Sequence, residues 1–162
     1  MNDDKYYIKE INYLNSDDYR RMNSVCRFWF SEPKTLNLTS PSMPYPFQFK
    51  KWVDFYQKNN ESVFSYAVQR DDWIIGHGSI QIKNKIGHIF HVIIDSGYRR
   101  KGLASKLIEE LKKKVHQKGV KEITLNVDRK NLAAFYLYEK LGFLKDKDVS
   151  KNTLRMKTKL FA

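Results

Sequence analysis

A basic turn at residues 99–104 is the first stretch of the chain whose residue types suit a ligand. Its pattern is Arg99-x-x-Gly102-x-Ala104, between an apolar segment and a long amphipathic segment. A helix that begins among glycine and basic residues presents unpaired N–H groups, the positive end of its dipole and cationic side chains to one point. The small residues let a phosphate approach the backbone. The turn therefore predicts a phosphate site, although basic turns before helices also occur by chance.

A second pattern lies downstream and reads Asn131-x-x-Ala134-x-x-x-Tyr138-x-Lys140-x-Gly142-Phe143. Asn131, Ala134 and Tyr138 are spaced i, i+3 and i+7, so an amide, a small residue and a phenol share one face of a helix. Such a face can serve a ligand, or Tyr138 can be a core residue beside its leucine neighbours.

The secondary structure that must position these motifs follows from the periodicity of apolar residues. Alternating patterns predict strands at residues 6–11, 63–68, 73–82, 86–94, 121–127, 143–147 and 153–160. Helical spacing predicts helices at residues 16–30, 47–59, 103–118 and 132–141. Ser16 is the predicted N-cap of the first helix, and Gly119 and Gly142 are expected to end the last two. Residues 31–46 hold all four prolines and predict a loop or a broken helical turn. This loop and the helix after it could wall a substrate pocket, or their aromatic residues could belong to the core.

The order of these elements predicts a fold class. Residues 63–94 form an antiparallel meander of three strands, and the strand, helix, strand passage that follows implies a right-handed parallel crossover. We expect one α/β domain over residues 1–162, with a mixed, mostly antiparallel sheet of about seven strands and helices on both faces. Gly76 and Gly78 in the middle strand predict a close backbone approach or a bulge.

Composition narrows the class of protein and its partners. Lys and Arg number 30 against 18 Asp and Glu, a formal charge of +12. Such a surface attracts nucleic acid, an acidic membrane or a phosphorylated cofactor, or only keeps the protein soluble. The single cysteine, Cys26, excludes an internal disulfide and a cysteine-based zinc site. Neither a membrane span nor a signal peptide is evident, so we expect a cytoplasmic protein that binds no membrane.

With both motifs in order, the sequence resembles the GCN5-related N-acetyltransferase (GNAT) superfamily. The element order matches throughout, and the specific residue matches lie between residues 86 and 143. The resemblance implies a GNAT-like fold and acetyl-CoA as co-substrate, with its pyrophosphate on the basic turn and its pantetheine arm along the strand that precedes it. The implied cofactor-binding residues are Val92, Ile93, Ile94, Arg99, Arg100, Lys101, Gly102, Leu103, Ala104, Ser105, Asn131 and Tyr138.

The resemblance also implies transfer of acetyl to an amine by direct attack in a ternary complex. Tyr138 would protonate the leaving thiolate as general acid. Many relatives place a glutamate base on the strand of residues 86–94, but this chain has His88 and His91 there. A neutral imidazole is a competent base at pH 7. The family position favours His88, which shares a face with Phe90, Val92 and Ile94 and not with His91 unless a bulge intervenes. His91 or a water is the alternative base.

Two other functions are compatible with this sequence. One is a GNAT domain that binds CoA without catalysis, since the acidic base is missing. The other is a basic nucleic-acid-binding module, although no recognisable nucleic-acid motif supports it and nucleic acid is not expected as a partner. The expected partners are acetyl-CoA and an amine acceptor, a small molecule or a peptide, on a monomer or homodimer. The resemblance places acceptor specificity in residues 31–59, which carry no recognisable motif.

Overall fold

The structure is a computed structural model, and it describes residues 5–160. Its strands are β1 (Tyr6–Ile11), β2 (Val63–Arg70), β3 (Trp73–Lys83), β4 (Ile86–Ile94), β5 (Glu122–Asp128), β6 (Leu144–Asp148) and β7 (Thr153–Lys159). Its helices are α1 (Ser16–Trp29), α2 (Pro33–Thr39), α3 (Phe49–Lys58), α4 (Leu103–His116) and α5 (Leu132–Lys140). Every strand predicted from the sequence is present within a few residues of its expected bounds.

The strands form one sheet in the order β1-β2-β3-β4-β5-β7-β6. All neighbouring strands are antiparallel except β4 and β5, which α4 connects as a parallel crossover. This arrangement confirms the predicted fold class, a seven-stranded, mostly antiparallel mixed sheet. Among the helices of residues 5–160, none is long and apolar enough to cross a membrane.

Helices cover both faces of the sheet because the strands alternate apolar side chains between them. On one face, Ala67 of β2 belongs to a cluster with buried residues of α1 and α3, among them Cys26 and Trp52. On the other face, Val68 packs against Leu107 of α4. The predicted close approach at Gly78 is confirmed, since a Cβ there would lie 2.9 Å from Cδ2 of Leu107.

Two local predictions need correction. Asn15, not Ser16, caps α1, because the Asn15 side chain accepts a hydrogen bond from the Asp18 N–H at 3.0 Å. The proline-rich segment contains a short helix, α2, that begins at Pro33. Proline is favourable at a first helical position because the N–H it lacks would be unpaired there. The segment is therefore more ordered than its composition suggests.

Strand β4 leaves its regular pairing at two points. Its parallel pairing with β5 ends at Ile89 and Leu125, although both strands continue beyond that step. On its other edge, Ser79 of β3 pairs with Phe90 and His77 pairs with Ile93. One residue of β3 therefore faces two residues of β4, which is a β-bulge. The sheet splits and β4 bends at the same place.

Candidate active site

A cavity of about 560 Å³ lies where β4 and β5 separate. Its walls come from residues 88–92 of β4, residues 125, 126 and 128 of β5, and residues 37–43 at and after the end of α2. Tyr138 of α5 also lines it. The cavity therefore brings together predicted site residues from two separate parts of the sequence, His88 and Val92 of β4 and Tyr138 of α5. A shallower groove of about 650 Å³ over the β6–β7 hairpin contains none of the predicted site residues.

Tyr138 is buried, with 8% of its surface exposed, and its ring meets Phe143 edge to face at 6.0 Å between centroids. Burial raises the pKa of its phenol to about 12. The hydroxyl therefore holds its proton at neutral pH. It makes no hydrogen bond to another described residue. Tyr136, on the same helix, is 60% exposed, and it does not line the cavity. The two tyrosines thus differ in position as the helical spacing predicts.

His88 lies on the wall formed by β4, opposite Thr124 of β5. Its Nδ1 is 2.7 Å from the Thr124 Oγ1, so Nε2 is the nitrogen left for a ligand. Burial, followed by the charges of Arg155 and Lys83, lowers the pKa of His88 to about 4. The imidazole is therefore neutral at pH 7 and can accept a proton, but only from a group that has become strongly acidic.

The bulge changes which side chains share a face with His88. Val92 and Ile94 pack with Leu103 and Leu107 of α4 on the opposite face of the sheet. His91 lies on the α3 face, where its ring stacks on Trp52 at 4.0 Å and contacts Phe90 at 4.7 Å. The alignment of His88 with Val92 and Ile94 that a regular strand predicts is wrong here, because the bulge named as its exception is present. Both histidines line the cavity.

The basic turn has the conformation expected of an anion site. Gly102 is the N-cap of α4 with φ of 74°, and Arg100 also has a left-handed φ, 62°. Where a left-handed residue is followed by a right-handed one, as Gly102 is by the first helical residue Leu103, the successive N–H groups turn toward one side, a geometry that binds anions. A Cβ on Gly102 would point into open space, so its conformation, not crowding by the protein, requires glycine there.

Hydrogen bonds fix the conformation of the main chain in this turn. Arg99 donates from Nε to the Ile94 carbonyl at 3.2 Å. The carboxylate of Asp95 accepts from the Gly97 N–H at 2.9 Å and from the Trp29 indole at 3.1 Å. Asp95 therefore holds the turn between β4 and α4. Leu103 is buried under it, which anchors the start of α4 to the sheet.

Asn131 begins the helix that carries Tyr138. Its side-chain oxygen accepts from the Ala134 N–H at 3.3 Å, which makes it the N-cap of α5. Asn131 and Tyr138 of the second motif are therefore linked structurally. The cap fixes where α5 starts, and hence where Tyr138 lies. The amide nitrogen of Asn131 remains for a ligand.

The cavity has a charge unlike that of the rest of the protein. None of the residues lining it is lysine or arginine, and one of them, Asp128, is acidic. The Asp128 Oδ1 accepts from the Lys130 N–H at 2.8 Å, so its carboxylate has a fixed orientation. The sequence offers residues 31–59 as the wall of a substrate pocket, and residues 37–43 and Phe55 of that region line this cavity. Asp128 and Asn126 were not predicted as site residues. The separation of β4 from β5 brings them to the site, and no local pattern signals it.

The same fold occurs in solved acetyltransferases. The PaiA N-acetyltransferase of Thermoplasma acidophilum, solved in complex with coenzyme A, superposes with a TM-score of 0.72 and 18% identity over 96% of this chain and 99% of that chain. The GNAT domain of PAT from S. lividans gives a TM-score of 0.79 with 15% identity over 94% of this chain and 89% of that chain. At these identities the likeness establishes the fold.

Residues 32–143 match the acetyltransferase (GNAT) family. This chain therefore belongs to that family. The [ribosomal protein bS18]-alanine N-acetyltransferase of Salmonella typhimurium is 29% identical over 89 residues, 55% of this chain and 60% of that protein. The N-alpha-acetyltransferase of Saccharolobus solfataricus is 36% identical over 92 residues, 54% of each. The aligned part thus spans little more than half the length of these relatives.

Proposed function

We propose that the protein transfers an acetyl group from acetyl-CoA to a primary amine by direct attack. The observation that carries this proposal is that Tyr138, His88 and the part of β4 beyond its pairing with β5 line one cavity. The edge of β4 that faces β5 is not paired with it beyond Ile89, so an extended pantetheine arm can lie along residues 92–94. The turn at residues 99–105 lies at the end of that path and takes the pyrophosphate.

In the proposed reaction the neutral amine attacks the thioester carbon, a C–N bond forms and the C–S bond breaks. The nitrogen becomes positively charged on attack and must lose a proton, which His88 or a water accepts. The sulfur leaves as a thiolate and takes a proton from the Tyr138 hydroxyl. A backbone N–H near Ile94 stabilises the oxyanion. No covalent enzyme intermediate is needed.

The weakness of the base bears on the acceptor. A lysine amine has a pKa near 10.4, so only about one molecule in 2,500 is neutral at pH 7. An α-amine has a pKa near 8, and about one in ten is already neutral. Because the pKa of His88 is about 4, the cavity suits an acceptor that needs little help with deprotonation. We therefore propose an α-amine as the acceptor.

Two further observations favour an α-amine within a peptide. The relatives named above are an N-acetyltransferase of a ribosomal-protein alanine and an N-alpha-acetyltransferase. The cavity lining offers one carboxylate, Asp128, and no lysine or arginine to pair with a carboxylate of the acceptor. A free amino acid carries such a carboxylate beside its amine, whereas an N-terminal residue of a peptide does not.

Two assays test the proposal against its rivals. Thermal stabilisation by acetyl-CoA, and none by an oligonucleotide, would remove the nucleic-acid-binding reading. Release of free CoA is then followed with alanine amide, alanine and Nα-acetyl-lysine, which present an α-amine, the same amine beside a carboxylate, and an ε-amine. The proposal expects alanine amide to be used best. Stabilisation by acetyl-CoA with no acceptor-dependent release across amines and peptides would instead support an inactive CoA-binding domain.

A further inference from the structure

The bulge in β4 is held by polar contacts that the proposed chemistry does not use. His91, at the bulge, has a φ of 52°, a left-handed conformation that is uncommon for residues other than glycine. Such a conformation persists only where its surroundings determine it, and it is commonest at functional sites. The contacts that determine it here come from several elements of the fold.

The His91 ring is hydrogen-bonded at both nitrogens. Nε2 lies 2.9 Å from the Ser40 hydroxyl, and Nδ1 lies 2.8 Å from the Tyr56 hydroxyl. The Tyr56 hydroxyl is also 2.7 Å from Ser79, which is 2.8 Å from Ser65. Because hydroxyl groups both donate and accept, either neutral tautomer of His91 satisfies this chain of contacts.

His77 holds the main chain of the same residue. Its Nδ1 lies 2.9 Å from the His91 carbonyl oxygen, which can only accept, so Nδ1 carries the proton. Nε2 then accepts from the Tyr13 hydroxyl at 3.1 Å, and that hydroxyl accepts from the Trp52 indole at 2.8 Å. Burial lowers the pKa of both histidines, so both are neutral at pH 7. Each buried polar group in this arrangement has a partner.

One contact of this network reaches the cavity wall. Ser40 is the C-cap of α2, and it begins the segment of residues 40–43 that lines the cavity. Its hydroxyl is buried, and its bond to His91 joins this segment to β4 across 51 residues of sequence. A fully satisfied buried network fixes one geometry, whereas a half-satisfied one is costly.

We infer that Ser40, His91 and His77 are positioning residues that hold the β4 bulge and the segment of residues 40–43 in register, and thereby shape the acceptor side of the cavity. The inference rests on the proposed function for its consequence, since the acceptor is the ligand whose binding it affects. Ser40 lies outside the turn at residues 99–105 and outside residues 92–94, which are proposed to hold acetyl-CoA. Loss of the Ser40 contact is therefore expected to affect acceptor binding more than acetyl-CoA binding.

The test compares Ser40→Ala with Ser40→Thr, which keeps the hydroxyl, and with Ser31→Ala. Ser31→Ala also removes one hydrogen bond, from the Ser31 hydroxyl to the Phe28 carbonyl. Ser31 is exposed and does not line the cavity. Measurements on the full chain are the KM for alanine amide, the Kd for acetyl-CoA, and hydrogen–deuterium exchange of residues 36–43. Ser40→Ala leaves Nε2 of His91 buried without its partner. The energetic cost of such an unpaired group, expressed on acceptor binding, equals a change of about tenfold in KM.

The inference predicts that Ser40→Ala raises acceptor KM about tenfold, leaves the Kd for acetyl-CoA within twofold and speeds exchange in residues 36–43, with Ser40→Thr near wild type. Unchanged exchange in Ser40→Ala overturns it, as does an equal loss of affinity for both substrates. If the wild-type protein acetylates no amine, the proposed function fails, while the exchange measurement still decides whether Ser40 holds the segment.

Discussion

His88 and Thr124 face each other across the parallel pair of β4 and β5, with 2.7 Å between the imidazole Nδ1 and the threonine Oγ1. They form the penultimate paired step before β4 and β5 separate. The contact engages one nitrogen of a histidine whose pKa burial has lowered to about 4, and it places that histidine at the entrance to the split. His88 is thus a neutral, weak base beside the cavity.

The first prediction concerns the pH dependence of catalysis. Because the pKa of His88 is about 4, kcat/KM is expected to rise with pH toward the pKa of the acceptor, near 8 for an α-amine. No inflection near 6.5 is expected. His88→Gln should lower kcat by about 10- to 100-fold without moving the midpoint. A wild-type inflection near 6.5 that disappears in His88→Gln would show that the histidine titrates normally.

The second prediction concerns the proton that the thiolate receives. Tyr138→Phe removes the hydroxyl and keeps the ring, so kcat should fall by about 10²- to 10⁴-fold while acetyl-CoA affinity stays within about twofold. Tyr136→Phe, on the exposed side of the same helix, is the matched control and should keep wild-type kcat. Turnover that is unchanged in Tyr138→Phe would refute the acid role.

The third prediction separates cofactor binding from backbone strain at Gly102. Gly102 and Gly119 flank α4, have φ of 74° and 80°, and would each direct a Cβ into open space. Alanine at either position should cost about 1–2 kcal/mol of folding free energy. Only Gly102→Ala should also weaken acetyl-CoA binding, because only that turn is proposed to hold phosphates. Equal acetyl-CoA affinity in the two variants, measured by calorimetry, would count against this phosphate site.

The fourth prediction concerns stability in mild acid. His77 is buried, and its pKa is lowered to about 4, so the unfolded chain binds a proton near pH 6.5 that the folded chain does not bind until pH 4. The contribution of His77 to the free energy of unfolding is complete above pH 6.5. It decreases as pH falls from 6.5 to 4, by about 2 kcal/mol at pH 5. His91 and His88, with lowered pKa values, add losses of the same sign.

Urea unfolding at pH 7.5 and pH 5 measures this effect. His77→Gln, which retains hydrogen-bonding capacity, should lose less stability between the two pH values than the wild type, by about 2 kcal/mol. The comparison within each protein removes any difference in absolute stability. If both proteins lost the same free energy of unfolding between the two pH values, the pKa of His77 would not differ between the folded and unfolded states, which would contradict the prediction.

The sequence predicts the parts of the site that depend on local pattern. The turn at residues 99–104 and the spacing of Asn131 and Tyr138 along one helix are local features, and the fold follows from strand and helix periods. The bulge at His91 is not local, because it depends on contacts with Ser40, Tyr56 and His77 from other elements. Strict alternation therefore misplaced Val92 and Ile94 relative to His88, and no sequence signal placed Asp128 in the cavity.

The most direct test of the proposed acetyl transfer uses a short lysine-free peptide that begins with alanine, and the same peptide with its N-terminus formylated. Free CoA released from acetyl-CoA is measured together with the mass of the peptide. We predict release, and a matching gain of one acetyl group, only with the free N-terminus. Acetyl-CoA binding without transfer to this peptide, or to any other amine of the panel, would contradict it.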